Sequence, residues 1–300
     1  MNYLPPPYVK SAPRKVFVAV LCTLLLGQTG CIDNQTHPDL QPWLPPGNGS
    51  SLIGCTPNLD GVIASSELVA AIGIPARYRL SFDQAIEPQG QISASGKRTW
   101  DWGWSSAGEQ ALTIAAEDIQ TKWYAADFAG GQFTTPFDLE NKLDAVYTKD
   151  DKGLWLIGLV SRQQKPAGGV TRLRYDPPVL AVKLPLKAGD AWTSVGKVQK
   201  ELDADGNSKN KFNGLPYAGS DTYAYKVTAG GSLVLPDLAV DQVLQVSVEV
   251  KLEPVVGKAS TSRQISFFAE CLGEVARAVA TTDEPAELFT KAAQLRRLGL

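Results

Sequence analysis

Histidine is almost absent from this chain of 300 residues, which contains only His37. A Ser-His-Asp or Cys-His catalytic set needs a histidine inside the fold, and zinc sites need several histidine or cysteine ligands. The sequence also lacks a Walker-type phosphate loop and a glycine-rich dinucleotide-binding turn. These absences exclude the commonest classes of hydrolase, zinc protein and nucleotide-binding protein. Acid–base catalysis by two carboxylates is the enzymatic alternative that they leave.

Long apolar runs are equally scarce, and the clearest one lies near the start. The stretch Val16–Leu26 follows three basic residues, Lys10, Arg14 and Lys15, and precedes the sequence Gly-Gln-Thr-Gly-Cys, which ends at Cys31. A run of this length is too short to cross a bilayer as a stable helix and is typical of a cleavable signal. We therefore predict an export signal that ends before Cys31.

The end of this signal resembles that of bacterial lipoproteins, in which a small residue and Gly or Ala precede the lipidated cysteine. Gly30 and Cys31 match this pattern, while Gln28 stands where leucine is usual. The resemblance implies cleavage before Cys31, a lipid on its thiol and a membrane as partner. Aspartate after the cysteine retains enterobacterial lipoproteins in the inner membrane, and Ile32 stands here, so we expect the outer membrane. Ordinary secretion and an uncleaved anchor are the alternatives.

Removal of the signal changes the charge balance of the chain. The whole chain has 29 basic and 31 acidic residues, and the signal contains three basic and no acidic ones, so 26 basic residues remain against 31 acidic. Nucleic-acid binding requires a basic patch. The mildly acidic balance therefore predicts that nucleic acid is not a partner.

The four cysteines predict one disulfide. Cys22 would leave with the signal and Cys31 would carry the lipid, which leaves Cys55 and Cys271. In an oxidising compartment such a pair usually forms a disulfide, and two buried free thiols are the alternative.

Composition also divides the chain into three parts. A signal at 1–30 is followed by the lipidated cysteine and a tether at 31–54, which is rich in proline, glycine, asparagine and serine. Such a segment is typical of a flexible linker. The remainder, 55–300, is expected to form a single β-rich domain.

Short stretches of alternating apolar and polar residues, separated by glycine- and proline-rich turns, fill most of the chain after Ala76. This pattern predicts a mainly β fold with an antiparallel curved sheet, arranged as a half-barrel, a barrel or a sandwich. The turn sequence Lys149–Gly153 favours a hairpin. We also expect one short helix at Glu67–Ile74 and a strand at Trp123–Phe128, whereas the tail Pro285–Leu300 fits either a helix or a final strand.

One segment resembles the calcium-binding loop of EF-hand proteins. With Thr56 as position 1, the residues Asn58, Asp60 and Glu67 occupy positions 3, 5 and 12, where side-chain oxygens bind the ion. Threonine replaces the usual aspartate at position 1, so the resemblance implies at most a weak calcium site. The alternative is an Asx turn at Asn58–Gly61, with no ion bound.

Three tryptophans, Trp100, Trp102 and Trp104, occupy alternate positions. In a strand they would lie on one face. On an exposed face the rings could bind a sugar or another apolar ligand, and on an inner face they would fill a wide core.

Motifs in the second half of the chain resemble those of a lipoprotein group. The segment Leu184–Trp192 contains Pro-Leu-x-x-Gly-Asp-x-Trp, Phe267–Arg277 contains Gly-x-Val-x-Arg, and Leu235-Pro-Asp precedes a strand-like Val240–Val246. Together they are similar to β-rich bacterial lipoproteins of the TapB-like group, over roughly residues 140–280. The resemblance implies a curved antiparallel sheet or half-barrel and transfers no catalytic residue to this chain.

These observations predict a monomeric lipoprotein of the bacterial cell envelope with a non-catalytic binding or structural role. Its expected ligand is an apolar or envelope-derived molecule on the concave side of the sheet. Calcium is the one cofactor that the sequence suggests. The alternatives are a calcium-stabilised adhesion or interaction module and a carboxylate-based hydrolase of envelope glycans.

Overall fold

A computed structural model of the chain describes residues 54–69 and 71–299. The predicted signal, the lipid on Cys31 and nearly all of the predicted tether lie outside these residues. The described part contains no helix that is long and apolar enough to cross a membrane.

Strands dominate the described residues, and the helical elements are two 3-10 turns at Ile119–Thr121 and Ala125–Asp127. The strands in chain order are β1 (Val62–Ile63), β2 (Ala76–Ala85), β3 (Gln91–Ile92), β4 (Arg98–Asp101), β5 (Gln110–Ile114), β6 (Glu117–Asp118), β7 (Phe133–Pro136), β8 (Leu143–Lys149), β9 (Gly153–Ser161), β10 (Arg172–Lys183), β11 (Leu186–Lys187), β12 (Ala191–Val198), β13 (Lys211–Phe212), β14 (Leu215–Pro216), β15 (Gly219–Val234), β16 (Ala239–Pro254), β17 (Ser260–Ala269), β18 (Gly273–Val279) and β19 (Lys291–Gly299).

Two large sheets contain most of these strands, and β1 pairs separately with β11. The seven-stranded sheet has the order β14-β13-β10-β9-β8-β7-β6. The ten-stranded sheet has the order β3-β4-β15-β16-β17-β18-β19-β2-β5, with β12 also paired to β15. Strand β4 joins β15 in parallel, whereas the hairpin neighbours pair antiparallel. Within the described residues neither sheet closes into a barrel, and the prediction of a mainly β, antiparallel fold is confirmed.

Three apolar cores stabilise these sheets. The first lies between the two large sheets and joins Leu156 of β9 to Val248 of β16. The second covers the other face of the ten-stranded sheet, where Phe267 packs against Trp102. Neighbouring residues of a strand point to opposite faces, so Phe267 and Phe268 belong to different cores. The third core is smaller and lies under the 3-10 turns, on the outer face of the seven-stranded sheet.

The helix predicted at Glu67–Ile74 is wrong. Its described residues form two separate turns, one in which Glu67 N and Leu68 N donate to Ala64 O at 3.0 and 3.2 Å and one in which Ile74 N donates to Ala71 O at 3.1 Å. Further on, Ile72 forms a bridge with a residue of another segment, and Gly73 has a φ of 78°, which a right-handed helix does not allow. The described residues of this segment therefore form a loop.

The strand predicted at Trp123–Phe128 is also wrong. Tyr124 and Phe128 are four residues apart, and both are buried in the third core. A 3-10 turn at Ala125–Asp127 brings the two rings to the same side, with centroids 6.0 Å apart. Tyr124 Oη also donates to Asp144 Oδ2 at 2.6 Å, which holds the turn against the sheet.

The tail of the chain forms a strand, β19, which pairs with β18 on one side and β2 on the other. The hairpin predicted at Lys149–Gly153 is confirmed, because it joins β8 to β9 and Asp150 N donates to Gly153 O at 3.0 Å.

The predicted disulfide between Cys55 and Cys271 is confirmed. The two Cα atoms lie 5.6 Å apart, and both residues are buried. Cys271 N also donates to Glu67 O at 2.8 Å. The bond therefore attaches the beginning of the described part to the turn between β17 and β18.

A buried arginine connects the last strand to the tryptophan segment. The side chain of Arg297 has no exposed surface, and its Nη1 donates to the carbonyl oxygens of Trp102 and Trp104 at 2.7 and 2.5 Å. Its Nη2 pairs with Glu109, which also contacts Arg79 at 3.3 Å. This network holds the backbone after β4 against β19.

Candidate functional site

A cavity of about 330 Å³ lies between the two large sheets. Small-molecule sites in proteins range from roughly 300 to 1,000 Å³, so this volume is at the lower end of that range. Both sheets contribute mainly apolar and aromatic side chains to its walls. They include Tyr147, Leu156 and Val182 from the seven-stranded sheet and Tyr225, Val248 and Phe268 from the ten-stranded sheet. We call this space the inter-sheet cavity.

Strand alternation explains how the ten-stranded sheet supplies its wall. On β17, the side chains of Gln264, Ser266 and Phe268 line the cavity, and the residues between them are buried in the core on the opposite face. On β16, Val246 and Val248 line it with the same spacing. The long central strands therefore form one continuous wall.

Aromatic rings crowd one end of the cavity. Trp192 of β12 stacks on Tyr225 of β15 with centroids 4.7 Å apart, and Tyr225 stacks on Tyr223 at 6.2 Å. Trp192 Nε1 donates to Leu180 O at 2.9 Å, so the indole is held at a fixed position by the seven-stranded sheet. Stacked rings of this kind provide a rigid apolar surface.

The loop that replaces the predicted helix forms another wall. Leu68, Val69, Ala71 and Ile74 all line the cavity. Ile74 is 41% exposed, and Phe137, another lining residue, is 49% exposed. We infer that these two apolar side chains mark the place where the cavity opens to solvent.

Charged side chains occupy a distinct part of the wall, on β18 and β19. Glu274 Oε1 accepts from Arg277 Nε at 2.7 Å, and Glu274 Oε2 pairs with Arg296. Arg296 Cζ lies 4.9 Å from the ring centre of Tyr78, whose Oη donates to Glu274 O at 2.9 Å. Lys149 also lines the cavity, at the opposite sheet. We call Glu274, Arg277 and Arg296 the arginine cluster.

A β-bulge brings the arginine cluster together. Ser266 and Phe268 of β17 are two residues apart, whereas their partners on β18, Arg277 and Glu274, are three apart. The extra residue turns Glu274 to the same face as Arg277, which plain alternation would not do. Arg296 then lies directly opposite Arg277 on the neighbouring strand.

Electrostatics keep Glu274 and Arg277 ionised. Burial acts to raise the pKa of Glu274, but the charges of Arg277 and Arg296 outweigh it, and the pKa is lowered. Burial acts to lower the pKa of Arg277, but the interactions with Glu274 outweigh this effect, and the pKa is raised. Burial raises the pKa of Tyr78 and of Tyr147, so both phenols stay neutral. The cluster therefore carries two positive charges and one negative charge at neutral pH.

The residues of the EF-hand-like segment make bonds with one another and with the backbone. Asn58 Oδ1 accepts from Asp60 N at 2.9 Å, and Asp60 Oδ1 accepts from Val62 N at 2.8 Å, as in successive Asx turns. Glu67 Oε2 accepts from Ala64 N at 2.8 Å, while Thr56 is exposed. In the described part of the chain, no group of three or more His, Cys, Asp or Glu residues is placed to hold a metal.

Calcium is therefore expected to leave the thermal stability of the protein unchanged. The side-chain oxygens that would bind the ion already accept backbone hydrogen bonds, which calcium would have to replace. The measurement is the melting temperature by circular dichroism, in millimolar calcium and again in excess chelator. Asp60→Asn, which removes the charge and keeps the acceptor, is the control. A rise in melting temperature with calcium that Asp60→Asn abolishes would contradict this expectation and support a bound ion.

The three tryptophans do not lie on an exposed face. Trp100 and Trp102 have no exposed surface, and each packs edge-on against Phe267, with centroid distances of 4.9 and 4.8 Å. Trp104 is partly buried, with Arg297 Cζ 5.3 Å from its ring centre. Their position fits the core-packing alternative, on the face of the sheet opposite the cavity.

The arginine cluster was not identified by sequence reasoning. Glu274 and Arg277 belong to the Gly-x-Val-x-Arg motif, but nothing in the local sequence indicates the bulge or the strand that pairs with it. The available signal was the occurrence of charged residues inside an otherwise apolar strand.

Comparisons with protein-family models, with curated proteins and with solved structures find no match to this chain.

Proposed function

We propose that the protein binds an apolar or amphipathic small molecule in the inter-sheet cavity, as a lipid-anchored component of the bacterial cell envelope. One observation carries this proposal, namely a cavity of about 330 Å³ with mainly apolar walls contributed by both large sheets. Ligand sites of proteins have this character, with apolar walls and a few polar groups that orient the ligand.

The size of the cavity supports a binding role over a purely structural one. Protein interiors are close-packed and contain few voids larger than a water molecule. A solvent-open space of this size leaves apolar side chains of both sheets without packing partners. A ligand that fills the space would supply those partners.

The ionisable groups of the cavity favour binding over hydrolysis. Glycosidase chemistry needs two carboxyl groups facing the substrate. Among the described residues that line the cavity, Glu274 is the one carboxylate, and both of its oxygens are engaged by arginines. This arrangement offers no second carboxyl group to act as acid or base.

Features of the sequence support the envelope location. The signal resembles those of lipoproteins, and the Cys55–Cys271 disulfide suits an oxidising compartment. We propose that the lipid on Cys31 holds the protein at the outer membrane. Membership of the TapB-like group is proposed on its motifs alone.

A variant that fills the cavity is expected to weaken the binding of a neutral apolar dye. Ala181 lines the cavity from β10, so Ala181→Phe places a ring inside it. With the full chain and a neutral phenylnaphthylamine dye, fluorescence titration should show binding about tenfold weaker or more. Ala191→Phe adds the same ring at an exposed position of β12 and should bind like the unmodified protein. Equal affinity of the two variants, with both folded, would refute the proposal.

Native mass spectrometry of protein extracted from its own membrane tests the remaining parts of the proposal. The expected spectrum shows the added mass of a lipid on the mature chain, the mass of an intact disulfide and a retained small molecule. A chain that begins before Cys31, or that carries no lipid, would contradict the proposed anchor.

A further inference from the structure

The charge of the inter-sheet cavity indicates the chemistry of its ligand. Its ionisable lining consists of the cations Lys149, Arg277 and Arg296, the carboxylate of Glu274 and neutral tyrosines. One carboxylate neutralises one of these three cations, so two positive charges remain without a carboxylate among the lining residues. Arg277 and Arg296 are 36% and 18% exposed, so both are partly removed from bulk water, where an uncompensated charge is costly. A negatively charged group on the ligand would supply the missing partner.

The arginines retain hydrogen-bond donors for such a group. A guanidinium has five N–H donors. Arg277 meets Glu274 through Nε, so this bond does not use its two Nη groups. Arg296 meets Glu274 through Nη2, and its buried Nε has no hydrogen-bond partner among the described residues. Paired donors of two neighbouring arginines fit the oxygens of a carboxylate or a phosphate.

The position of the cluster sets the orientation of a ligand. Arg277 is the most accessible member, with 36% of its side chain exposed, against 12% for Glu274 and 18% for Arg296. All three line the cavity, so a ligand in the cavity could contact them. Apolar and aromatic walls occupy the rest of the cavity. An anionic group at the cluster would therefore place an attached apolar chain against Phe268, Val248 and Tyr225.

We propose that the ligand of this protein is a single-chain amphiphile with an anionic headgroup, bound by Arg277 and Arg296 in the inter-sheet cavity. This proposal rests on the proposed function and adds the class of ligand. A volume at the lower end of the range for ligand sites suits one chain better than the two chains of a phospholipid. The shared chemistry is a carboxylate or a phosphate on an alkyl chain.

The test compares four probes that share one chain length, namely laurate, dodecyl phosphate, dodecanol and dodecylamine. Each displaces the neutral dye from the full chain. We expect laurate or dodecyl phosphate to bind at least about tenfold more tightly than dodecanol. Dodecylamine should bind most weakly of the four. The ratio of the affinities for laurate and dodecyl phosphate identifies which headgroup the protein prefers.

Variants test whether the arginine cluster causes the preference for an anionic probe. Arg277→Gln with Arg296→Gln should lower the affinity for the anionic probe to that for dodecanol. Arg277→Lys with Arg296→Lys keeps the charge and should retain part of the preference. Arg174→Gln removes one positive charge from an exposed position and should change nothing. Circular dichroism shows whether each variant is folded.

The outcomes separate the two proposals. If dodecanol binds as tightly as laurate and dodecyl phosphate, the headgroup proposal fails and the apolar cavity stands. If none of the probes displaces the dye and the dye itself does not bind, the proposed function fails. If the double glutamine variant does not fold, the comparison of the four probes on the unmodified protein tests the headgroup proposal by itself.

Discussion

Removal of the Cys55–Cys271 disulfide is expected to lower the free energy of unfolding by about 5 kcal/mol. The two cysteines are 216 residues apart, so the bond closes a very large loop and removes much conformational freedom from the unfolded chain. The corresponding fall in melting temperature is roughly 10–20 °C for a domain of this size. The measurement is urea denaturation of Cys55→Ala with Cys271→Ala beside the unmodified protein.

The denaturation curves also show how the disulfide stabilises the protein. Without the bond, the unfolded chain expands and exposes more surface, so the slope of free energy against urea should increase as the midpoint falls. Cys55→Ala alone loses the same bond and serves as the matched control, with stability within about 1 kcal/mol of the double variant. A double variant that unfolds at the same urea concentration as the unmodified protein would show that the bond does not stabilise the fold.

Replacement of Arg297 is expected to have the second largest effect, a loss of about 3–5 kcal/mol in Arg297→Met. Its guanidinium is fully buried and satisfies two carbonyl oxygens and the carboxylate of Glu109. Methionine keeps the length of the side chain but leaves those acceptors without their donor. The free energy of unfolding from urea denaturation measures the loss.

Arg79→Met is the matched control, because Arg79 contacts the same Glu109 with a side chain that is 40% exposed. It also donates to Asp237 through Nε and Nη2 at 2.9 and 2.6 Å, so we expect its replacement to cost about 1–2 kcal/mol. Glu109→Leu combined with Arg297→Met removes both charges and should be less destabilising than the sum of the two single changes. If Arg297→Met costs no more than Arg79→Met, the buried network contributes little.

Local pattern was sufficient to predict most of the long strands and the disulfide. Alternation identified β17, where Ser266 and Phe268 face one side and Phe267 the other. The pairing of Cys55 with Cys271 followed from the assignment of the other two cysteines. These features depend on neighbouring residues or on simple counting, so the sequence alone contains the information.

Features that depend on contacts between distant segments were not predicted. The segment Glu67–Ile74 has helical spacing, but Ile72 bridges to Ala116, and that contact is absent from the local pattern. Tyr124 was expected in a strand, yet its hydrogen bond to Asp144 supports a turn. In each case a contact from another part of the chain outweighed the local preference.

The arginine cluster of the candidate site also depends on contacts between distant segments. Glu274 and Arg277 are three residues apart, so plain alternation places them on opposite faces of β18. The bulge that reverses this placement becomes visible only through the register between β17 and β18. Arg296 joins them through a pairing of β19 with β18 that the sequence left undecided, since the tail fitted a helix as well as a strand.

The position of β19 has a consequence for the order of events during biosynthesis. This strand contains residues 291–299 and lies between β18 and β2, so β2, which pairs with β5 on its other side, joins the rest of the sheet only when those residues have been made. Domains usually fold as units as they emerge during synthesis. The pair of strands β2 and β5 therefore stays separate from the rest of this sheet until β19 has been made. Its unpaired edge needs protection from aggregation during that time.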